Sequence, residues 1–450
     1  MRAWCNWITS ILDPRERHYS NTSVLLRLHY LLVRQYDNTI PHLRTQKDVK
    51  KVFGLVFPPL EPSVHMLPLS GIRVIDVTRL LPGGFCSMLL ADMGAEVVKV
   101  EEPGLGDYMR LAPPLIEGAS PFHSVVNRNK MSLGLNLKEK EGKDILKKLV
   151  ASSDVFVEGF RPGVMERLGF SFDFVKKINP KIVYCSISAF GHFDPMSSIP
   201  GHDINFQALS GALGSNGKPS FPVVQLADLS AGMYAAIGIL AALCRRKKEG
   251  AIYVDVPIVQ SLLSLLILPL ALQLAKRRPP TPGDGLLTGS EAYYNLYKTS
   301  DGKYLAVAAI EKEFRRNLLR ELGAPELESL MSGKRGERRL ATRRLREILS
   351  RKGRDEWTKK LTGKETCVTP VLSMDEVMRS SWGRPTNVIG QVSSAEVKIL
   401  PTALTFYPKR NEAHTKKAPR IGQDTMRVLR GLGYSAPQIR DLERRGIVQS

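Results

Sequence analysis

The chain has 450 residues, 65 basic against 44 acidic for a net charge of +21, and is 43% hydrophobic, the composition of an ordinary soluble globular protein with room for two or three domains. Its five cysteines (Cys5, Cys86, Cys185, Cys244, Cys367) are scattered, odd in number and free of C-x-x-C or Cys/His clusters. They argue against a disulfide framework and a zinc site and for a reduced, cytoplasmic setting; no metal is expected.

Residues 1–65 have weak periodicity and few strand–turn–helix signals. They are expected to be a dispensable extension, or upstream sequence attached by a misassigned start, with a helical appendage as the rival reading. No apolar h-region followed by a small-residue cleavage site is visible, so no signal peptide is expected. From Leu67 the pattern changes. "IRVIDVT" reads as a strand, "PGGFC" (Pro82–Cys86) as a turn into the helix "FCSMLLADMGA", and "EVVKVEEP" as the next strand. "KEGKDILKKLVASS" is amphipathic, "DVFVEGF" a strand, "GVMERLGF" and "FDFVKKINP" helical turns, and "KIVYCSISAFG" a strand. This β-α-β-α alternation predicts a parallel, Rossmann-like sheet. A G-x-G-x-x-G phosphate fingerprint is missing, so no dinucleotide is implied.

After Gly201 two helices are expected, separated by a turn at Gly214–Ser220, then the strand "AIYVDVPIV". "IVQSLLSLLILPLALQLA" (Ile258–Ala275) barely reaches membrane-span length and carries two Gln, two Ser and Pro269. It reads as a buried core helix kinked at the proline, and no membrane partner is expected. Residues 276–290 form a Pro/Gly-rich linker or active-site loop. "EAYYNLYKTSDGKYLAVAAIE" reads as a hairpin with a Ser-Asp-Gly turn, opening a smaller second domain. Helices are expected from there to about residue 380. In the basic run Gly333–Arg354, Leu340, Leu345, Ile348 and Leu349 mark one buried stripe, and the arginines a solvated face. No nucleic-acid module accompanies them, and no nucleic-acid partner is expected. Two short helices around a Gly-Tyr turn end the chain.

Taken together, "LSGIRVIDVTRLLPGGFCSMLLADMGAEVVKVEEPG", "VEGFRPGVMERLGF", "INPKIVYCSISAFG", "GHDINFQALSG", "LADLSAGMYAAIGILAAL", "YKTSDGKYLAVAAIEKEF", "CVTPVLSMDEV" and "PRIGQDTMRVLRGLGY" resemble CoA-transferase family III (CaiB/BaiF type), and within it the α-methylacyl-CoA racemases. The resemblance spans about residues 67–450. It implies an α/β protomer with a large Rossmann-like CoA-binding domain (66–275), a linker (276–290), a small α+β domain (291–395) and a C-terminal segment returning to the large domain (396–450). It further implies that two subunits interlock as a homodimer, with acyl-CoA bound between the large domain of one and the small domain of the other.

Racemising a 2-methylacyl thioester means removing the α-proton from one face and returning a proton on the other, through an enolate. Two acid/base groups and donors for the enolate oxygen are the economical solution. His202, in "GHDIN", is the first candidate, since imidazole titrates near neutrality. Asp203 beside it is expected to support the imidazole or cap the helix. Asp228, in "QLADLSAGM", is the second group, a carboxylate at a helix N-terminus whose backbone N–H could serve the enolate. In the family this Asp is the racemases' acid/base and the transferases' acyl-accepting nucleophile. The resemblance also has Glu311, in "VAAIEKEF", reach the catalytic His of the other subunit. For CoA it implies Lys138, Arg167 and Leu168, with backbone around Leu135, Asn136 and Leu137 and at Gly159, Phe160 and Arg161. Arg128 and Lys130 are weaker additions. Where many members carry Arg after the "VxxE" strand, this chain has Glu102, leaving one cationic contact open. Cys86 lacks a His placed with it in sequence and is expected to be a buried packing residue.

The implied activity is therefore racemisation or epimerisation of 2-methylacyl-CoA thioesters, with CoA arriving as part of the substrate and no separate cofactor. The rival is a CoA transferase in which Asp228 attacks the thioester and passes through a mixed anhydride to an aspartyl-CoA thioester. A non-catalytic acyl-CoA-binding protein is the remote third, disfavoured by His202, Asp228 and Glu311 occurring together.

Overall fold

A computed structural model describes residues 67–216, 219–276, 287–380, 389–392, 395–398, 403–404, 406 and 416–450. The expected N-terminal extension and most of the 276–290 loop lie outside these residues. The first part of the chain runs β1 (Arg73–Asp76), α1 (Leu80–Asp92), β2 (Glu96–Glu101), α2 (Pro121–Val126), β3 (Met131–Leu135), α3 (Lys140–Ala151) and β4 (Val155–Glu158). It continues through α4 (Val164–Leu168), α5 (Phe172–Ile178), β5 (Val183–Ser188), α6 (Asp203–Leu209), α7 (Leu226–Glu249), β6 (Ile252–Pro257), α8 (Ile258–Leu265) and α9 (Ile267–Lys276). Then come β7 (Tyr294–Lys298), β8 (Tyr304–Ala308), α10 (Lys312–Leu322), α11 (Leu327–Met331), α12 (Arg335–Leu349), α13 (Arg354–Leu361), β9 (Val368–Pro370) and α14 (Met374–Arg379). The hairpin β10 (Ile389–Val392) and β11 (Ala395–Lys398) precedes α15 (Thr425–Gly431), α16 (Ala436–Arg444) and β12 (Val448–Gln449).

The seven-stranded sheet has the order β12-β3-β2-β1-β4-β5-β6, parallel throughout except for the antiparallel edge strand β12. This is the expected Rossmann-like arrangement. Successive strand residues serve opposite faces. Val74, Val97, Val155 and Val183 pack in one core with residues of α1, α7 and α8. Ile75, Val98, Phe156 and Tyr184 pack in another with residues of α3, α5, α15 and α16. A third core joins the antiparallel strands β7, β8 and β9 to α10–α13 through Tyr297, Leu305, Leu318, Leu345 and Trp357. The sheet order reverses between β1 and β4, and ligands of open α/β sheets bind outside the carboxyl ends of the strands at such a point.

Three local expectations change. "PGGFC" is not a turn into a helix: α1 starts at Leu80 and runs through it. Pro82 falls in the first turn, where its missing N–H costs no intrahelical bond. The stretch 258–275 is not one buried helix kinked at Pro269. It breaks at Leu266 into α8 and α9, bent by 67°. Only α8 is buried, while α9 leaves Ile267, Leu268, Leu270 and Leu274 exposed. Finally, β9 interrupts the expected run of helices, because Val368–Pro370 pair with β8.

Candidate functional site

The helix α7 precedes the parallel strand β6, so it runs against the strand direction and its N-terminus lies at the carboxyl edge of the sheet. Asp228 sits in its first turn. The helix reaches the sheet closely because its inner face is Ala227, Ala231, Ala235 and Ala236, all buried. A Cβ on Gly232 would lie 2.7 Å from the Pro82 carbonyl oxygen, and one on Gly83 2.3 Å from the Thr78 side chain. The first turn of α1 is thus held between the end of β1 and the helix that carries Asp228.

His202 is the residue at which α6 begins; it is exposed, and its backbone N–H donates to Asn205 Oδ1 at 3.0 Å. Asp203, next in the chain, turns inward and is 8% exposed. Its Oδ1 accepts the backbone N–H groups of Ala227 (2.9 Å) and Asp228 (3.2 Å), and its Oδ2 accepts Gln207 Nε2 at 2.6 Å. Asp203 therefore caps α7, satisfying N–H groups that have no partner inside that helix. This corrects two expectations. Asp203 caps the following helix rather than its own and makes no hydrogen bond to the His202 imidazole, and the Asp228 N–H is engaged by Asp203 rather than held open for an enolate. Burial, and then the Asp203 charge, push the half-buried Asp228 carboxyl up to about 7. A carboxyl titrating near neutrality can take or give a proton at physiological pH.

A second feature occupies the same edge. A cleft of about 180 Å³ opens at the carboxyl ends of β1, β2 and β3. Leu135, Asn136, Leu137, Lys138, Phe160 and Leu168 line it, six of the nine residues expected for CoA. Gly159, Arg161 and Arg167 are exposed on the segment after β4 that supplies Phe160. That segment is held by Glu158, whose Oε2 accepts the Phe160 N–H at 2.8 Å and whose carboxyl is pushed up to about 7, chiefly by burial. Arg79 also lines the cleft, its guanidinium 4.9 Å from the Tyr108 ring centroid and 5.5 Å from that of Phe160. Sequence reasoning missed Arg79, a lone cation just beyond the strand "IRVIDVT" with no motif around it. Glu102 pairs with Arg79 at 3.3 Å and with Lys138 at 2.8 Å.

Arg128 and Lys130 do not line this cleft. Arg128 is buried in an ion pair with Asp92 at 2.6 Å. Lys130 is buried against Asp76 (3.3 Å), the Gly84 carbonyl and Asn127 Oδ1. Both hold α1 and the segment before β3 together. Cys86 is fully buried, and burial raises its thiol pKa, so it is a packing residue. Glu311 is the exposed cap residue of α10; its backbone carbonyl accepts the Arg315 N–H at 3.1 Å, and its carboxylate makes no hydrogen bond or ion pair with any described residue.

The profile of CoA-transferase family III matches residues 69–425. Alpha-methylacyl-CoA racemase of Mus musculus is 33% identical over 391 residues, covering 85% of this chain and 98% of that protein. Succinyl-CoA:glutarate CoA-transferase of Mus musculus is also 33% identical, over 398 residues covering 85% and 91%. Among solved structures, a CAIB/BAIF family protein from Brucella suis superposes with a TM-score of 0.71 at 25% identity, covering 82% of this chain and all of that one.

Proposed function

The chain belongs to CoA-transferase family III, and on that premise we propose that it racemises or epimerises the α-carbon of 2-methylacyl-CoA thioesters. The observation that carries this reading is the Asp228 carboxyl, brought to about 7 at a helix N-terminus that the neighbour of His202 caps. One of the pair takes the α-proton from one face as an enolate forms. The other delivers a proton to the opposite face. The thioester already acidifies that C–H, so this chemistry calls on no metal or redox group. The positive end of α7 favours charge developing close to Asp228.

The CoA moiety lies along the cleft beneath Arg79 and Lys138, with Phe160 and Leu168 as apolar walls. The active unit is an interlocked homodimer in which Glu311 of one subunit supports the protonated His202 of the other. The unpaired carboxylate of Glu311 and the exposed apolar residues of α9 support an associated state.

The transferase reading has equal standing by identity to its relatives. It makes Asp228 a nucleophile and leaves His202 and Glu311 without an evident task. Variants separate the two. As a racemase, His202→Ala abolishes α-exchange from one enantiomer far more than from the other, and Asp228→Asn shows the opposite bias. Racemisation then falls by at least about 10²-fold in both, the lower end for a positioned acid or base. As a transferase, His202→Ala keeps CoA exchange into free acids, whereas Asp228→Asn loses it along with any hydroxylamine-sensitive acyl-enzyme.

A further inference from the structure

Glu102 stands just past the carboxyl end of β2, on the wall of the cleft. Its Oε1 lies 2.8 Å from Lys138 Nζ, and its Oε2 lies 3.3 Å from the Arg79 guanidinium. Arg79 and Lys138 are the cations among the described residues that line the cleft. One carboxylate therefore holds both. The other two lining carboxylates are committed elsewhere, Glu101 to Arg110 at 2.6 Å and Asp107 to Lys99 at 3.0 Å. Arg79 is fixed in place, with its guanidinium also donating to the Tyr108 hydroxyl at 2.7 Å. Lys138, 77% exposed, is free to turn toward a ligand.

We infer that Glu102 is a resident counter-anion that competes with the ligand's phosphates for Arg79 and Lys138, so that it narrows the preference for CoA over unphosphorylated pantetheine carriers. This rests on the acyl-CoA reading above. A phosphate entering the cleft either displaces the carboxylate from its two cations or shares them with it at close range, and both cost affinity. An uncharged pantetheine arm meets no such competitor. The penalty falls on substrate and transition state alike, so Glu102 governs occupancy and release rather than the proton-transfer step.

Calorimetric titration of CoA and of pantetheine into the full-length protein at low salt tests this, with wild type, Glu102→Gln and Glu102→Ala compared. Both variants are expected to bind CoA about three- to tenfold more tightly, with pantetheine unchanged within about twofold. Lys138→Met should cost more CoA affinity in the Glu102→Gln background than in wild type, where the ammonium is already engaged. Unchanged CoA affinity in both Glu102 variants overturns the inference, as does an equal gain for pantetheine. Wild type that binds CoA while the variants gain nothing defeats this inference alone. Wild type that binds no CoA defeats the acyl-CoA reading on which it rests.

Discussion

Asp203 carries more of the site than either proposed proton carrier shows alone. It anchors the N-terminus of α7 and lends its charge to Asp228. Asp203→Asn keeps an oxygen acceptor but removes that charge. The limb of the pH–rate profile set by Asp228 should then move about 1 pH unit to lower pH. Asp203→Ala removes the cap as well and should cost about 1–2 kcal/mol of stability, read from thermal or denaturant melts. Asp228 has a stability signature of its own. Its carboxyl titrates at about 7 when folded against a reference of 3.8, so between these values the folded chain holds a proton that the unfolded chain has released. Its contribution is complete below pH about 4 and is lost as pH rises through about 7. Asp228→Asn should therefore be more stable than wild type at pH 8, with the difference fading toward pH 4. Asp76 and Glu101, both lowered to about 2 by partners that outweigh their burial, act in the other direction and are lost as pH falls from about 4 toward 2. His202 and Asp228 were legible through the resemblance to the racemases, which turned two ordinary helix-start residues into candidates. The target of Asp203 was not, since the N–H groups it accepts belong to the next helix. Arg79 was not legible either, because a single cation after a strand has no pattern to betray it.

At the scale of elements, α1 and α7 form the joint that sets the site. Gly232 permits the approach, and a side chain there meets backbone rather than a flexible tip. Gly232→Val should cost about 1–3 kcal/mol by overpacking and should lower activity beyond the stability loss by moving Asp228. A wild-type melting curve with full activity would show that the joint yields. The strands were readable because β-branched runs such as "RVID", "VFVE" and "VYCSIS" alternate with amphipathic stretches. Short or broken elements were not. β12 has two residues and β9 three, too few for a period, and both exist only through pairing with β3 and β8. The break at Leu266 escaped notice because the apolar run is continuous across it, and Pro269 drew the kink to itself though it lies in the first turn of α9.

For the molecule as a whole, strand order decides the placement of function. A parallel sheet that reverses between β1 and β4 puts Arg79, Glu102, Lys138, Phe160 and the start of α7 along one edge. The period of the sequence announced parallel strands, and the resemblance pointed to the residues proposed for CoA. The order of the strands comes from pairings between distant segments, which no local window contains. Association is testable at this scale too. Glu311 caps α10, which packs in the third core, whereas His202 begins α6, which packs in the first. Inactive His202→Ala and inactive Glu311→Ala chains, refolded together, should regain activity through one intact site per mixed dimer, and a mixture as inactive as its parents would exclude a role for Glu311 across subunits. The central claim is α-proton transfer on an acyl-CoA thioester, and one measurement meets it directly. Pure protein is incubated with (R)-2-methylacyl-CoA in D₂O, with no acceptor acid. The account predicts α-deuterium uptake together with loss of optical purity; a thioester recovered with its α-proton and configuration intact would contradict it.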